Sequence, residues 1–242
     1  MARKTTIFDA IASGSESRVK RFLTLHPEAL SERNDEGQSP LMASLYAGEP
    51  AIVAILLERG ASPDHFEAAA LGDVELLGRQ LRRSRKRAGA FSTNGFTCLH
   101  YAAFFGQPEA AALLLAHGAD VEAESRNRML PLARPLHIAM EGTRPLEVAT
   151  VLLDGGADPN STQSGGWTAL HSAALHGDLA LVQLLLARGA LAWIEAYDMT
   201  RPLDFAIERR HAEIVRLLQK QPKRKAAVAR AGSASRSRRR SL

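Results

Sequence analysis

Cysteine is nearly absent from these 242 residues: Cys98 stands alone, so an intramolecular disulfide is excluded. Long apolar runs are missing too. No segment approaches the roughly 18 consecutive apolar residues of a membrane-spanning helix, and the stretch MARKTTIFDAIASGSESRVKRF lacks the continuous apolar core of a secretory leader. A soluble cytoplasmic protein is expected, or a nuclear one in a nucleated host. Glycine-rich phosphate loops, nucleophile elbows, CxxC pairs and HExxH are all lacking, and Cys98 has no base at a defined spacing. No catalytic residue, metal or cofactor is expected. Acid is missing from one region only. Residues 221–242 hold eight of the 31 basic residues and none of the 26 acidic ones, which leaves the preceding body 23 against 26, a net charge of −3. The tail, poor in apolar residues and rich in like charges, has the composition of a disordered segment.

What is present is a repeated unit. Trp167 to Ala190 reads WTALHSAALHGDLALVQLLLARGA, two short helices folded back on each other. Thr168 is placed to cap the first, Leu170, Ala173 and Ala174 recur at helical spacing, and Gly177 ends it. Leu181, Val182, Leu184, Leu185 and Leu186 then make a stripe too wide for one pair to bury, with Gly189 as the closing cap. Such a unit requires neighbours. Leu99-His100, Leu136-His137, Leu170-His171 and Leu203 supply them at steps of 37, 34 and 33 residues.

Thr97-Cys98-Leu99-His100 with Ala102-Ala103, and Thr168-Ala169-Leu170-His171 with Ala173-Ala174, resemble ankyrin repeats. The resemblance covers about residues 5 to 220 and implies an all-α solenoid of about seven helix-turn-helix units with short β-hairpin fingers. The units are expected at 5–33, 34–64, 65–92, 93–126, 127–163, 164–196 and 197–220, followed by a basic tail at 221–242. Cys98 occupies the usual proline position and is expected to be a small buried thiol.

Three units depart from the pattern. The third has room for no full finger, so a gap in the finger row is expected there; Ser62-Pro63 would start its helix, with His65 aligned to the motif leucine. The fifth has a longer finger, SRNRMLPLARP, with Met129 and Leu130 near its tip. The seventh places Asp204 and Arg210 where others have histidine and glycine, and its Glu208, Arg209, Glu213, Arg216 and Lys220 make it a polar end cap.

His100, His137 and His171 recur once per unit and cannot converge on one metal ion. The resemblance implies that each ring bonds to neighbouring backbone. His117 and His176 fit helix ends, while Asp120 and Asp158 fit turn backbone.

The finger position after the turn glycine is Gln38, Phe96 and Trp167; the two positions before the interhelix glycine are Tyr46-Ala47, Phe104-Phe105 and Leu175-His176. In ankyrin arrays such positions face the concave groove. Tyr46, Phe96, Phe104, Phe105, Trp167, Leu175 and His176 are therefore the expected partner-binding residues, because aromatic anchors dominate interface energy. The competing reading packs some of these rings, Phe104 first, into the core of the array. Trp193 and Ile194 either extend the patch or fill the base of their finger. The resulting expectation is a monomeric, non-enzymatic module holding a protein partner in its groove. The alternative binds nucleic acid or an anionic surface through the tail and the run Arg79, Arg82, Arg83, Arg85, Lys86 and Arg87; simple solvation of the run is the plainer account of it.

Overall fold

A computed structural model describes residues 5–127 and 133–222. The tip of the long finger, with Met129 and Leu130, and the tail from residue 223 lie outside the described residues. Among the described residues fourteen α-helices form seven consecutive pairs. The first three are α1 (Ile7–Ala12) with α2 (Glu16–Leu25), α3 (Pro40–Tyr46) with α4 (Pro50–Glu58), and α5 (His65–Leu71) with α6 (Val74–Arg83). Next come α7 (Cys98–Phe104) with α8 (Pro108–Ala116) and α9 (Pro135–Met140) with α10 (Pro145–Asp154). The row ends with α11 (Ala169–His176) and α12 (Leu179–Ala187), then α13 (Pro202–Glu208) and α14 (Ala212–Gln219). First helices stack on first helices, α5 on α7 on α9 and α11 on α13, and second helices do the same along α6, α8, α10 and α12. This is an all-α solenoid.

Small residues permit the stacking. Ala102, Ala103, Ala173 and Ala174 are essentially inaccessible, so first helices approach closely, while Leu77, Leu114, Leu152 and Leu185 fill the space between second helices. Burying each of those leucines contributes about 1.5–3 kcal/mol. Proline opens six helices, where its missing N–H costs nothing. Thr168 caps α11 and Gly177 ends it with φ 78°.

The fingers are turns rather than hairpins of paired strands. Asn34 N donates to Gln38 O, Ser92 N to Phe96 O, Gln163 N to Trp167 O and Ala196 N to Thr200 O, at 2.8–3.0 Å. In the longer fifth finger Ser125 N reaches Ala133 O at 2.9 Å. Among the described residues the only β-type pairing is one bridge, Phe91 to Thr97; each of the four short loops turns on two backbone hydrogen bonds, which leaves no length for a ladder.

The third unit corrects two expectations. Asp64, not Ser62-Pro63, caps α5: its carboxylate accepts from Phe66 N and Glu67 N, and Glu67 returns the bond to Asp64 N. Counting from that cap, Phe66 rather than His65 matches the motif leucine, and Glu67 matches the motif histidine. The capping box decides this register, because it anchors the helix start where leucine spacing alone leaves it free. The expected gap in the finger row is also narrowed. A Cβ on Gly37 would lie 3.1 Å from Thr93 Oγ1, so the second and fourth fingers lean together over the shortened unit.

Candidate functional site

The three histidines tie unit to unit. His100 Nδ1 accepts from Thr97 N at 3.2 Å and faces its hydroxyl at 2.8 Å, while Nε2 meets Ala133 O at 3.0 Å. His137 links Arg134 N to Ser161 O, and His171 links Thr168 N to Thr200 O. A carbonyl can only accept, so Nε2 carries the proton and the rings are neutral. Burial pushes His100 and His137 down to about 4 and lowers His171 as well. Asp120 and Asp158 accept from Glu122 N and Asn160 N in their own turns. His117 Nδ1 bonds to Leu113 O at the end of α8. Cys98 is inaccessible, and burial drives its thiol far above the ordinary range. Among the described residues no set of three His, Cys, Asp or Glu side chains is placed to hold a metal.

Four of the seven expected partner-binding residues come together. The Tyr46 ring lies 5.8 Å from Phe104 and 5.3 Å from Phe105, which meet edge to face at 5.1 Å. Phe96 joins through Tyr101, 6.0 Å away. Tyr46 and Phe104 belong to units two and four, yet their rings meet across the third unit, whose first helix α5 lies between theirs. Tyr46 keeps 39 % of its surface exposed, whereas Phe96, Phe104 and Phe105 are half-buried. Burial, with the Tyr101 phenol beside it, pushes the Tyr46 phenol well above its ordinary range, so it holds its proton more tightly. Tyr46, Phe96, His100, Tyr101, Phe104 and Ile138 enclose a cavity of about 170 Å³.

Trp167 makes its ring contacts elsewhere. It stacks on His171 at 6.0 Å and packs against Phe205 of the last unit at 4.6 Å, half-buried. Leu175 is half-buried with its carbonyl facing His211 Nε2 at 3.2 Å, and exposed His176 faces Glu141 at 3.9 Å. The expected residues thus fall into a ring cluster over units two to four and a separate Trp167–Phe205 pair over units six and seven. Tyr101, Ile138 and Phe205 were not singled out from the sequence. Each lies one residue past the motif histidine position, and the signal available was a bulky side chain where Ser172 is small. Trp193 donates its indole N–H to Gln221 O and is half-buried with Ile194.

The basic run divides as well. Arg79 pairs with Glu75, and Arg87 donates to Gln80 O at 3.2 Å. Arg82, Arg83, Arg85 and Lys86 are exposed around the end of α6 and the short 3-10 turn Arg85–Gly89 that follows it. No described helix is long and apolar enough to cross a membrane.

Comparison with known proteins agrees with this architecture. The family model described as ankyrin repeats (3 copies) matches residues 65–163 and 136–227. The chain is 29% identical over 228 residues to the B-cell lymphoma 3 protein homolog of Mus musculus, covering 88% of this chain and 50% of that protein. It is 29% identical over 196 residues to the Nuclear factor NF-kappa-B p105 subunit of Gallus gallus, covering 74% of this chain and 20% of that one. A putative ankyrin repeat-containing protein of Treponema pallidum shares 35% identity over 143 residues, 58% of this chain and 46% of the other. The chain therefore spans half or less of these relatives. With paired helices in a row, histidines bridging successive units, and a family match over units three to seven, this chain belongs to the ankyrin repeat family.

Proposed function

We propose that this chain, built from a general protein-interaction module, holds a protein partner on its inner surface, without catalysing a reaction. Tyr46, Phe96, Phe104 and Phe105 form the main anchor; Trp167 with Phe205, flanked by Leu175 and His176, forms a second. The observation that carries this reading is the part-exposed ring cluster across units two to four. A pre-formed rigid surface loses little conformational freedom on binding, which favours affinity. The test is Tyr46→Glu combined with Phe105→Glu. Capture of the native partner should fall at least ~10-fold while the helical circular dichroism persists, since buried interface aromatics often exceed ~2 kcal/mol each. Undiminished capture would remove these residues from the site.

A second reading has its own observation: Arg82, Arg83, Arg85 and Lys86 are exposed and enter no ion pair among the described residues. With the eight tail cations they would bind nucleic acid, with a log-log salt slope as steep as about −7 from the tail alone. Truncation after Gln221, with capture at two salt concentrations, separates the readings: retained and salt-tolerant capture favours the groove.

A further inference from the structure

We infer that the cavity bounded by Tyr46, Phe96, Phe104 and Ile138 is a socket for one large apolar side chain of a partner segment that also carries lysine or arginine close by. The inference rests on the groove reading above and narrows the partner's chemistry. At about 170 Å³ the space is close to the apolar cavity of about 150 Å³ known to accept a single benzene ring.

Its lining offers nothing to a polar guest. Both ring nitrogens of His100 are committed, to Thr97 and to Ala133 O. The Tyr101 hydroxyl is bonded to Ser92 at 3.1 Å and has Tyr46 as its other neighbour. Phe96, Phe104 and Ile138 contribute no polar side-chain atom. A polar group entering here would lose its water without replacement, at a cost of roughly 1–3 kcal/mol or more.

Charge supplies the second half of the inference. Glu36, on the tip of the second finger, is the charged group that acts on Tyr46. Its carboxylate and that of Asp35 are exposed and form no ion pair among the described residues. A cation beside the apolar anchor would meet Glu36, with Asp35 next to it in the chain. The larger hollow of about 740 Å³ beside Phe91 is different in kind. Its Glu122 and Glu124 are occupied by Arg134, and Arg126 lies 3.8 Å over the Phe91 ring.

The test is selection of a displayed library of random linear peptides on the full chain, in parallel on wild type, Ile138→Trp to fill the socket, and Asp35→Lys with Glu36→Lys to invert the finger tip. Tyr46→Ala, which opens the socket at its exposed ring, serves if Ile138→Trp does not fold. Wild type should enrich peptides with one large apolar residue and a nearby cation. Filling or opening the socket should cut their retention at least ~10-fold, and charge inversion several-fold. Enriched peptides without an apolar anchor, or indifferent to both socket variants, would overturn the socket and leave the groove standing if the Tyr46→Glu, Phe105→Glu chain still loses its partner. No enrichment over a bare support would overturn the socket outright. Socket-dependent peptides with native capture untouched by the glutamate variants would instead displace the groove reading.

Discussion

Units four to six and units one, three and seven solve the same problem with different atoms. Three residues after the helix cap, the first group places His100, His137 and His171; the second places Asp9, Glu67 and Asp204. Both types accept from the cap's backbone N–H. Only histidine has a second nitrogen able to donate onward to the next unit's carbonyl, because a carboxylate can only accept. Glu67 accordingly looks backward: it receives the Ser39 hydroxyl of the preceding unit in a short hydrogen bond. Asp204 has no further unit among the described residues to reach, and holds Arg201 instead. The difference teaches that the motif histidine links its unit forward to the next, whereas a carboxylate in its place caps its own helix and, at Glu67, reaches only back to the preceding unit.

Acid should break the contrast most strongly. His100 and His137 fold with their ionisation near 4, below the usual 6.5, so their contribution is complete above about pH 6.5 and is lost as pH falls toward 4. The loss should reach roughly 3 kcal/mol for each ring by pH 4. Glu67, raised by burial, has the opposite sign and gains from protonation. Urea unfolding together with amide exchange should show α7 and α9 loosening on acidification more than α5; equal loss across all three would contradict the assignment.

Next in size is Gly95→Ala. Its φ of 77° and a Cβ 2.5 Å from the Arg126 carbonyl carbon leave no room where the fourth and fifth fingers meet. A loss of about 3 kcal/mol or more is expected, against about 1 kcal/mol for Gly189→Ala, which has a similar φ and open space. Denaturation midpoints of the two variants test the pair.

His100→Ala should cost about 3 kcal/mol, since it empties a buried site and orphans Thr97 N and Ala133 O. Asp204→Ala should cost about 1 kcal/mol, the loss of a cap alone. Similar values for the two would erase the distinction between link and cap. Smallest of all, Arg82→Ala with Arg83→Ala should shift stability by less than about 0.5 kcal/mol, because neither guanidinium holds an ion pair among the described residues. A larger loss would show a structural role for them.

Much of this was legible in the chain. The alanine pairs, the leucine stripes and the 33-residue step already required stacked helix pairs, and the once-per-unit spacing of the histidines already held His100, His137 and His171 a unit apart. The third unit was misread by one position, since its cap is the aspartate directly after the proline and its histidine substitute is a glutamate. The expected seven-residue patch proved legible only in part. Spacing put Tyr46, Phe104 and Phe105 on one surface, but it carried no sign that rings two units apart would touch. Nor did it show that Trp167 would turn forward onto Phe205.

The sequence by itself determined the element type, the repeat and the inward faces, because those follow from local periodicity and from apolar stripes that no single pair can bury. Only the tertiary structure decided which side chains of non-adjacent units meet, where the cavity closes, and which cations remain unpaired. Those outcomes depend on the distance and tilt between stacked units, and these are set jointly by every packed residue along the row rather than by any one stretch of chain.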